Sequence, residues 1–260
     1  MTARHGTPIA LASPGDPIMR NTMSRNIGQI VAEIPAAARV FDDYQIDYCS
    51  EGKDPLDVAC RKAGVRIDRI LDEIQLAART EIPTDLHDWR RAPMRDLIAH
   101  ILNAHHAFLD VQLPLLEHEI MRSVGIHAND NNEHYQQLRK VFNQFRDEIE
   151  HHNKREEMVL FPAIIALEQS TAKSYTGPKR SFGFASQTVH SMEGEHESIH
   201  KLLNEIRRIT NSFTPPSDAR GQDRSLYHDL REFEINMRRH FHLENNILFP
   251  RAAALEEDRI

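Results

Sequence analysis

From residue 93 onward, apolar residues return every three or four positions in four long runs, roughly 93–124, 133–169, 186–211 and 222–257. That spacing lines one face of an α-helix and turns it toward a bundle interior. The first face reads Leu102, His106, Leu109, Leu113, Leu116, Ile120, and the second Leu138, Phe142, Phe145, Ile149, His152, Glu156, Val159. The third reads Val189, Met192, His196, Ile199, Leu203, Ile206, and the fourth Leu226, Leu230, Phe233, Met237, His240, Glu244, Ile247. Turn-forming residues separate the runs: Gly125 and Asn129, then Gly177, Pro178 and Gly183, then Pro215, Pro216 and Gly221. Ala92-Pro93 opens the first run, with proline where a helix has no use for its N–H. The pattern predicts an all-α chain whose larger part is an antiparallel four-helix bundle.

Ahead of the bundle the periods are shorter. Ile27, Ile30, Val31, Ile34, Ala38 and Phe41 suggest an amphipathic helix bent or broken at Pro35. A turn over residues 47–53 leads to two further short helices, Pro55–Lys62 and Ile67–Ala78, with Gly64 a stop between them. The expected organisation is a disordered extension over residues 1–25, broken by Pro8, Pro14 and Pro17, and a small helical domain over 26–80. A linker over 81–92, holding Pro83 and Trp89, then leads to the bundle over 93–257.

Within this frame one phrase occurs twice. His152, Glu156 and Leu160-Phe161-Pro162 recur 88 residues later as His240, Glu244 and Leu248-Phe249-Pro250. Each copy reads H-x-x-x-E, three residues, then L-F-P. Residues four apart share a helix face, so an imidazole and a carboxylate at that spacing can reach one metal ion or two neighbouring ones. Both pairs fall on the apolar seam, whereas Glu157 falls off it. The seams also select His106 over His105 and His196 over His190. His106 and His152 both lie about 27–29 Å from the loop that joins their helices, at about 1.5 Å per residue, and His196 and His240 match around theirs. Two helix hairpins, each giving His and then His-x-x-x-Glu, make a pseudo-twofold set.

Four imidazoles and two carboxylates, with no thiolate, suit iron or manganese better than structural zinc. The candidate metal ligands are therefore His106, His152, Glu156, His196, His240 and Glu244, with both glutamates able to bridge two ions. Two unpaired carboxylates in a bundle core would otherwise be very costly. Glu148 and Glu195 are candidates for supporting a ligand or passing a proton, or for simple solvated positions. His200, one turn after His196, either orients a ligand or packs. A ferritin-like arrangement needs Glu-x-x-His motifs, which these seams lack.

Composition narrows the field further. Sixteen histidines stand beside one Trp and five Tyr, which favours a metal reading, and the net charge of −7 argues against a nucleic-acid binder. Two cysteines, Cys49 and Cys60, make neither a disulfide framework nor a zinc knuckle, and imply a reducing compartment. No run of 18 apolar residues is present to cross a membrane.

The six seam residues with both L-F-P tails resemble the hemerythrin-type four-helix domain. The stretch 27–65, with Asp47-Tyr48-Cys49 and Gly52-Lys53, resembles the small N-terminal domain of the di-iron proteins that repair iron–sulfur centres. Asp88-Trp89-Arg90, Met192-Glu193-Gly194-Glu195-His196 and the stretch from Leu243 to Ala252 are similar to the same family. The resemblance implies two non-haem iron ions with oxo- or hydroxo- and carboxylate bridges, and reactivity toward nitric oxide. It also implies a cytoplasmic, dimeric stress protein acting on damaged iron–sulfur proteins. In one respect the chain departs from the family pattern, because Ser50 stands where a second cysteine usually follows Cys49. A vicinal thiol pair is therefore impossible, and Cys49 is either a reactive turn thiol or a buried structural one. The competing readings are a carrier or sensor of O₂, nitric oxide or iron, and a metal-free helical interaction protein.

Overall fold

The computed structural model describes residues 25–80, 88–127, 133–170, 184–217, 219 and 221–257. Most of the expected extension (1–25) and linker (81–92) lies outside them. The described residues form helices and no strand, with one isolated bridge between Asn26 and Pro55.

Four short helices come first: α1 (Ile27–Glu33), α2 (Ala37–Asp43), α3 (Leu56–Ala63) and α4 (Ile67–Thr80). Asn26 caps α1 by accepting from the Gln29 backbone at 2.8 Å, and the Gln29 side chain reaches back in return. The chain breaks around Pro35, as a residue without an N–H predicts. Gly64 ends α3 in the left-handed conformation, φ 68°, which glycine adopts without a steric penalty. Ile27, Ile30, Phe41, Tyr48, Leu56 and Ile70 close a core of this unit's own.

Beyond this unit lies the bundle. Its first helix is α5 (Met94–Ile101), a π-helical turn (Leu102–His106) and α6 (Ala107–Ile126). The second is α7 (Glu133–Arg155), a π turn (Glu156–Leu160) and α8 (Phe161–Gln169). The third is the unbroken α9 (Phe184–Ile209), and the fourth is α10 (Gly221–Leu243), a π turn (Glu244–Leu248) and α11 (Phe249–Glu257). Two apolar layers fill the interior. One runs through Leu113, Phe142, Phe145, Leu203, Leu230 and Phe233; the other, toward the opposite end, through Leu97, Ile101, Phe161, Met192, Leu248 and Phe249. The polar seam residues sit between them.

The small unit rests on the fourth bundle helix through polar anchors as well as apolar ones. Arg238 is 6% exposed; it donates to the Ile46 carbonyl at 2.5 Å and pairs with Asp42 at 3.1 Å. Asn246 donates to the Tyr48 carbonyl at 3.0 Å, in a slot left by two glycines. A Cβ on Gly28 or Gly52 would stand 2.3 or 2.1 Å from the Asn246 Oδ1. This close approach is why both positions are glycine.

Candidate metal centre

Each His-x-x-x-Glu copy puts its two side chains on one helix face, and a local irregularity then completes the turn. The N–H of Phe161 bonds to the Glu156 carbonyl and that of Phe249 to the Glu244 carbonyl, five residues back instead of four. The L-F-P tail explains why the wider turn is tolerated. Pro162 and Pro250 bring no N–H to the ladder, and a proline ring would crowd the carbonyl four residues earlier in a tight α-helix. Single π turns of this kind are frequent at functional sites. The first helix has its own, with Ala107 bonding back to Leu102.

The extra residue in each π turn rotates the rest of its helix. Val159, expected on the seam, is 40% exposed, and Leu160 is buried in its place. His105, expected off the seam, is buried beside His106. Uniform 3.6-residue periodicity cannot anticipate either shift.

His106, His152, Glu156, His196, His240 and Glu244 are all buried, both glutamates completely. Their donor atoms form two groups, His106, Glu156, His240 and Glu244 in one and His152, Glu156, His196 and Glu244 in the other, each within 4.8 Å. Facing imidazole Nε2 atoms are 3.2 Å apart in the first group and 2.9 Å in the second. Two ligands at right angles, about 2.1 Å from one ion, would be about 3.0 Å apart. The carboxylates bridge the groups: Glu156 Oε2 is 3.5 Å from His106 Nε2, and its Oε1 is 3.3 Å from His152 Nε2. Glu244 mirrors it, with Oε1 3.0 Å from His240 Nε2 and Oε2 3.3 Å from His196 Nε2.

Whether this set suits metal can be tested on its polar atoms. Both Glu156 oxygens and Glu244 Oε2 are buried with no hydrogen-bond partner among the described residues. Orphaned carboxylate oxygens are rare because each forfeits its hydration. Four imidazole nitrogens and two bridging carboxylates converging on them supply the donors a cation needs. The residues fit a metal centre.

Electrostatics agree with the geometry. Burial and the neighbouring Glu244 push the Glu156 carboxyl up, but His152 and His106 outweigh them and hold it below its usual range. Burial opposes ionisation of Glu244 too, yet His240 and His196 keep it well below. Burial lowers His240, whereas at His106 and His152 the carboxylates win and the pKa rises.

Behind the donors stands a second set of contacts. His106 Nδ1 lies 2.8 Å from Glu157, His152 Nδ1 3.0 Å from Glu195, and His196 Nδ1 2.7 Å from the Asn245 amide oxygen. Such acceptors fix the tautomer and ring orientation of a ligating histidine. Sequence reasoning singled out Glu195 but missed Glu157 and Asn245. Glu157 falls off the apolar seam, and its side chain is 45% exposed, yet its carboxylate reaches inward to His106. Asn245 directly follows Glu244 in sequence, but only the packing of the third bundle helix brings the His196 ring to it. Glu148 does not reach the centre; it accepts from Ser198 at 2.9 Å and Gln144 at 3.0 Å. His200 pairs with Asp47 at 2.9 Å and touches none of the six. Cys49 is fully buried with its thiol on Asp47, and burial pushes its pKa well above the ordinary range, which does not suit a reactive turn thiol.

Comparison with known proteins gives the same picture. Residues 96–252 match the hemerythrin HHE cation binding domain, and residues 23–78 match a domain of unknown function, DUF542. The chain is 34% identical over 230 residues to the iron-sulfur cluster repair protein YtfE of Salmonella paratyphi B, covering 88% of this chain and 97% of the relative. The YtfE proteins of Salmonella newport and Salmonella heidelberg match to the same extent. Two domain matches, and a relative covered almost end to end, identify the chain as a member of the hemerythrin-domain iron–sulfur cluster repair family.

Proposed function

We propose that this protein is a di-iron protein that repairs iron–sulfur clusters damaged by nitrosative or oxidative stress. The observation that carries the reading is the pair of four-donor groups sharing Glu156 and Glu244. His106 and His240 would hold one iron, His152 and His196 the other, and both glutamates would bridge them. When bound, the irons supply one-electron chemistry and a place for a small molecule such as nitric oxide. The protein's own part is positioning. Glu157, Glu195 and Asn245 hold three imidazoles in register. Aromatic rings wall the donors off from water, with Phe241 4.3 Å and Phe249 5.6 Å from His196, and Phe161 5.8 Å from His106.

The reading includes a small helical domain over 26–80 and a bundle over 93–257 working as one protein, since Arg238 and Asn246 tie them together. Among the described residues no helix is long and apolar enough to cross a membrane, and two free cysteines fit a reducing cytoplasm. A homodimer acting on damaged iron–sulfur proteins is part of the proposal. The test uses protein reconstituted anaerobically with iron. It should bind two irons per chain and restore a peroxide-inactivated [4Fe–4S] enzyme, and Glu244→Ala should do neither. Iron-loaded protein that binds nitric oxide but restores nothing would favour the carrier or sensor reading instead.

A further inference from the structure

A second set of ligand-type side chains lies where the small unit meets α9. Asp47 and Cys49 come from the turn after α2, and His200 from the bundle, more than 150 residues away in sequence. The Cys49 thiol donates to Asp47 Oδ1 at 2.9 Å, and His200 Nε2 lies 2.9 Å from Asp47 Oδ2. One sulfur, one oxygen and one nitrogen donor lie within 4.8 Å of one another. The sulfur is buried, while the Asp47 and His200 side chains keep 21% and 16% of their exposure. The cluster has a closed sulfur floor and an open oxygen and nitrogen rim.

We propose that Asp47, Cys49 and His200 form a mononuclear site for a borderline divalent cation such as Fe(II), Co(II) or Zn(II), separate from the six-residue centre. A thiolate, an imidazole and a carboxylate together select this class over magnesium or calcium, which take all-oxygen sets. Three protein donors would also leave one position of a tetrahedron free for water, and the Ser50 hydroxyl stands 3.7 Å from the sulfur.

Binding balances as a proton exchange. The Cys49 S–H bond breaks, a sulfur–metal bond forms, and the thiol proton leaves to water. His200 binds through its Nε2 lone pair, with its remaining proton on Nδ1. In the metal-free chain the Asn204 Nδ2 donates to that Nδ1 at 3.3 Å; when the ring proton moves from Nε2 to Nδ1 on binding, the amide flips so that its oxygen accepts. A thiolate and a carboxylate then face a divalent cation with no net charge. This offsets the burial that keeps the thiol protonated when no ion is bound.

The site adjoins the six-residue centre through one residue. The Cys49 carbonyl accepts from Asn245 Nδ2 at 3.2 Å, and the same Asn245 accepts from His196 Nδ1. A cation arriving at the rim is therefore one hydrogen-bonded side chain from a candidate iron ligand. This site does not rest on the di-iron reading, because the six residues of that centre include no sulfur.

The test is titration of metal-free, full-length protein with Co(II), followed by absorption and by equilibrium dialysis. The expected result is a sulfur-to-cobalt charge-transfer band in the near ultraviolet and one equivalent beyond those held by the six-residue centre. Cys49→Ser, nearly isosteric, should lose the band and that equivalent while keeping the rest. His200→Ala, at the exposed rim, should weaken the band-forming equivalent by at least about tenfold. Cys60→Ser should leave the band intact. No band in the wild type, or a band that survives Cys49→Ser, would overturn the proposal. A normal band with no further equivalents would instead count against the six-residue centre.

Discussion

The His106–His240 group and the His152–His196 group are alike in their donors and unlike in what stands behind them. In the second group both outer nitrogens are satisfied, His152 by Glu195, itself paired with Arg155, and His196 by Asn245. In the first, His106 meets Glu157, but His240 Nδ1 is buried with no hydrogen-bond partner among the described residues. His240 has instead a stacked neighbour, the His105 ring, at 5.4 Å and 5°. Burial accordingly lowers the His240 pKa, while carboxylates raise that of His152. A repeated helix phase duplicates the candidate ligands, but what supports them depends on the neighbouring elements. Among the described residues, a hydrogen bond from Asn245 to the Cys49 carbonyl links the small N-terminal unit to the second group.

The largest effect should come from the residues the two groups share. Glu156→Ala or Glu244→Ala should empty both groups, whereas His106→Ala or His152→Ala should cost one ion and leave the other. Metal analysis after reconstitution separates these outcomes. A glutamate variant that still binds one equivalent would show that the carboxylates do not bridge.

Next are the acceptors behind the histidines. Glu157→Ala should weaken the His106–His240 position and Glu195→Ala the His152–His196 position, each by about 10–100-fold in metal affinity, or about 1.4–2.7 kcal/mol. Chelator competition measures this. Equal weakening of both positions by either variant would mean that the two groups act as a single unit.

Gly28→Ala probes the docking of the small unit on the better-supported side. Alanine gains about 1 kcal/mol of helix propensity in α1. Its Cβ, however, would stand 2.3 Å from Asn246 Oδ1 and 3.0 Å from the Gly52 carbonyl, a backbone atom with little room to move. Overpacking of this kind costs about 1–3 kcal/mol, so a net loss near 1 kcal/mol is expected, lowering Tm by about 2–4 °C. A Tm unchanged or raised would mean that the interface yields easily.

How much of this was legible beforehand depends on the length scale of the signal. The convergence of the six seam residues follows from a 3-4 spacing that runs through whole helices, and so does the four-helix architecture. Gly64 and Pro35 act locally, through backbone chemistry that a sequence displays directly. The π turns were hidden, because they depend on one backbone bond closing five residues back; Val159, Leu160 and His105 changed sides as a result. Glu157 and Asn245 were hidden for a different reason. Their roles depend on which neighbouring helix or turn presents an imidazole to them, and periodicity along one helix does not contain that. The cluster of Asp47, Cys49 and His200 needed the packing of two units to be seen at all.

The smallest effect tests whether the far end of the bundle is independent of both groups. There His134 Nε2 lies 2.6 Å from the Tyr227 hydroxyl, which donates to the neutral ring. Partial burial lowers the His134 pKa below its ordinary 6.5. Proton counting sets the sign. As pH falls through 6.5 the unfolded chain takes up a proton that the folded ring resists, so this residue's contribution to stability is present above 6.5 and is lost below it. His134→Gln keeps a polar side chain of similar reach but cannot titrate. The Tm of metal-free protein should therefore fall less between pH 7.5 and pH 5.5 in the variant than in the wild type. Because the ring is only partly buried, solvent screening keeps the difference small. Metal content should not change in either group. If it did, the far end would be coupled to the centre, and the contrast between the two groups could no longer be assigned to their immediate neighbours alone.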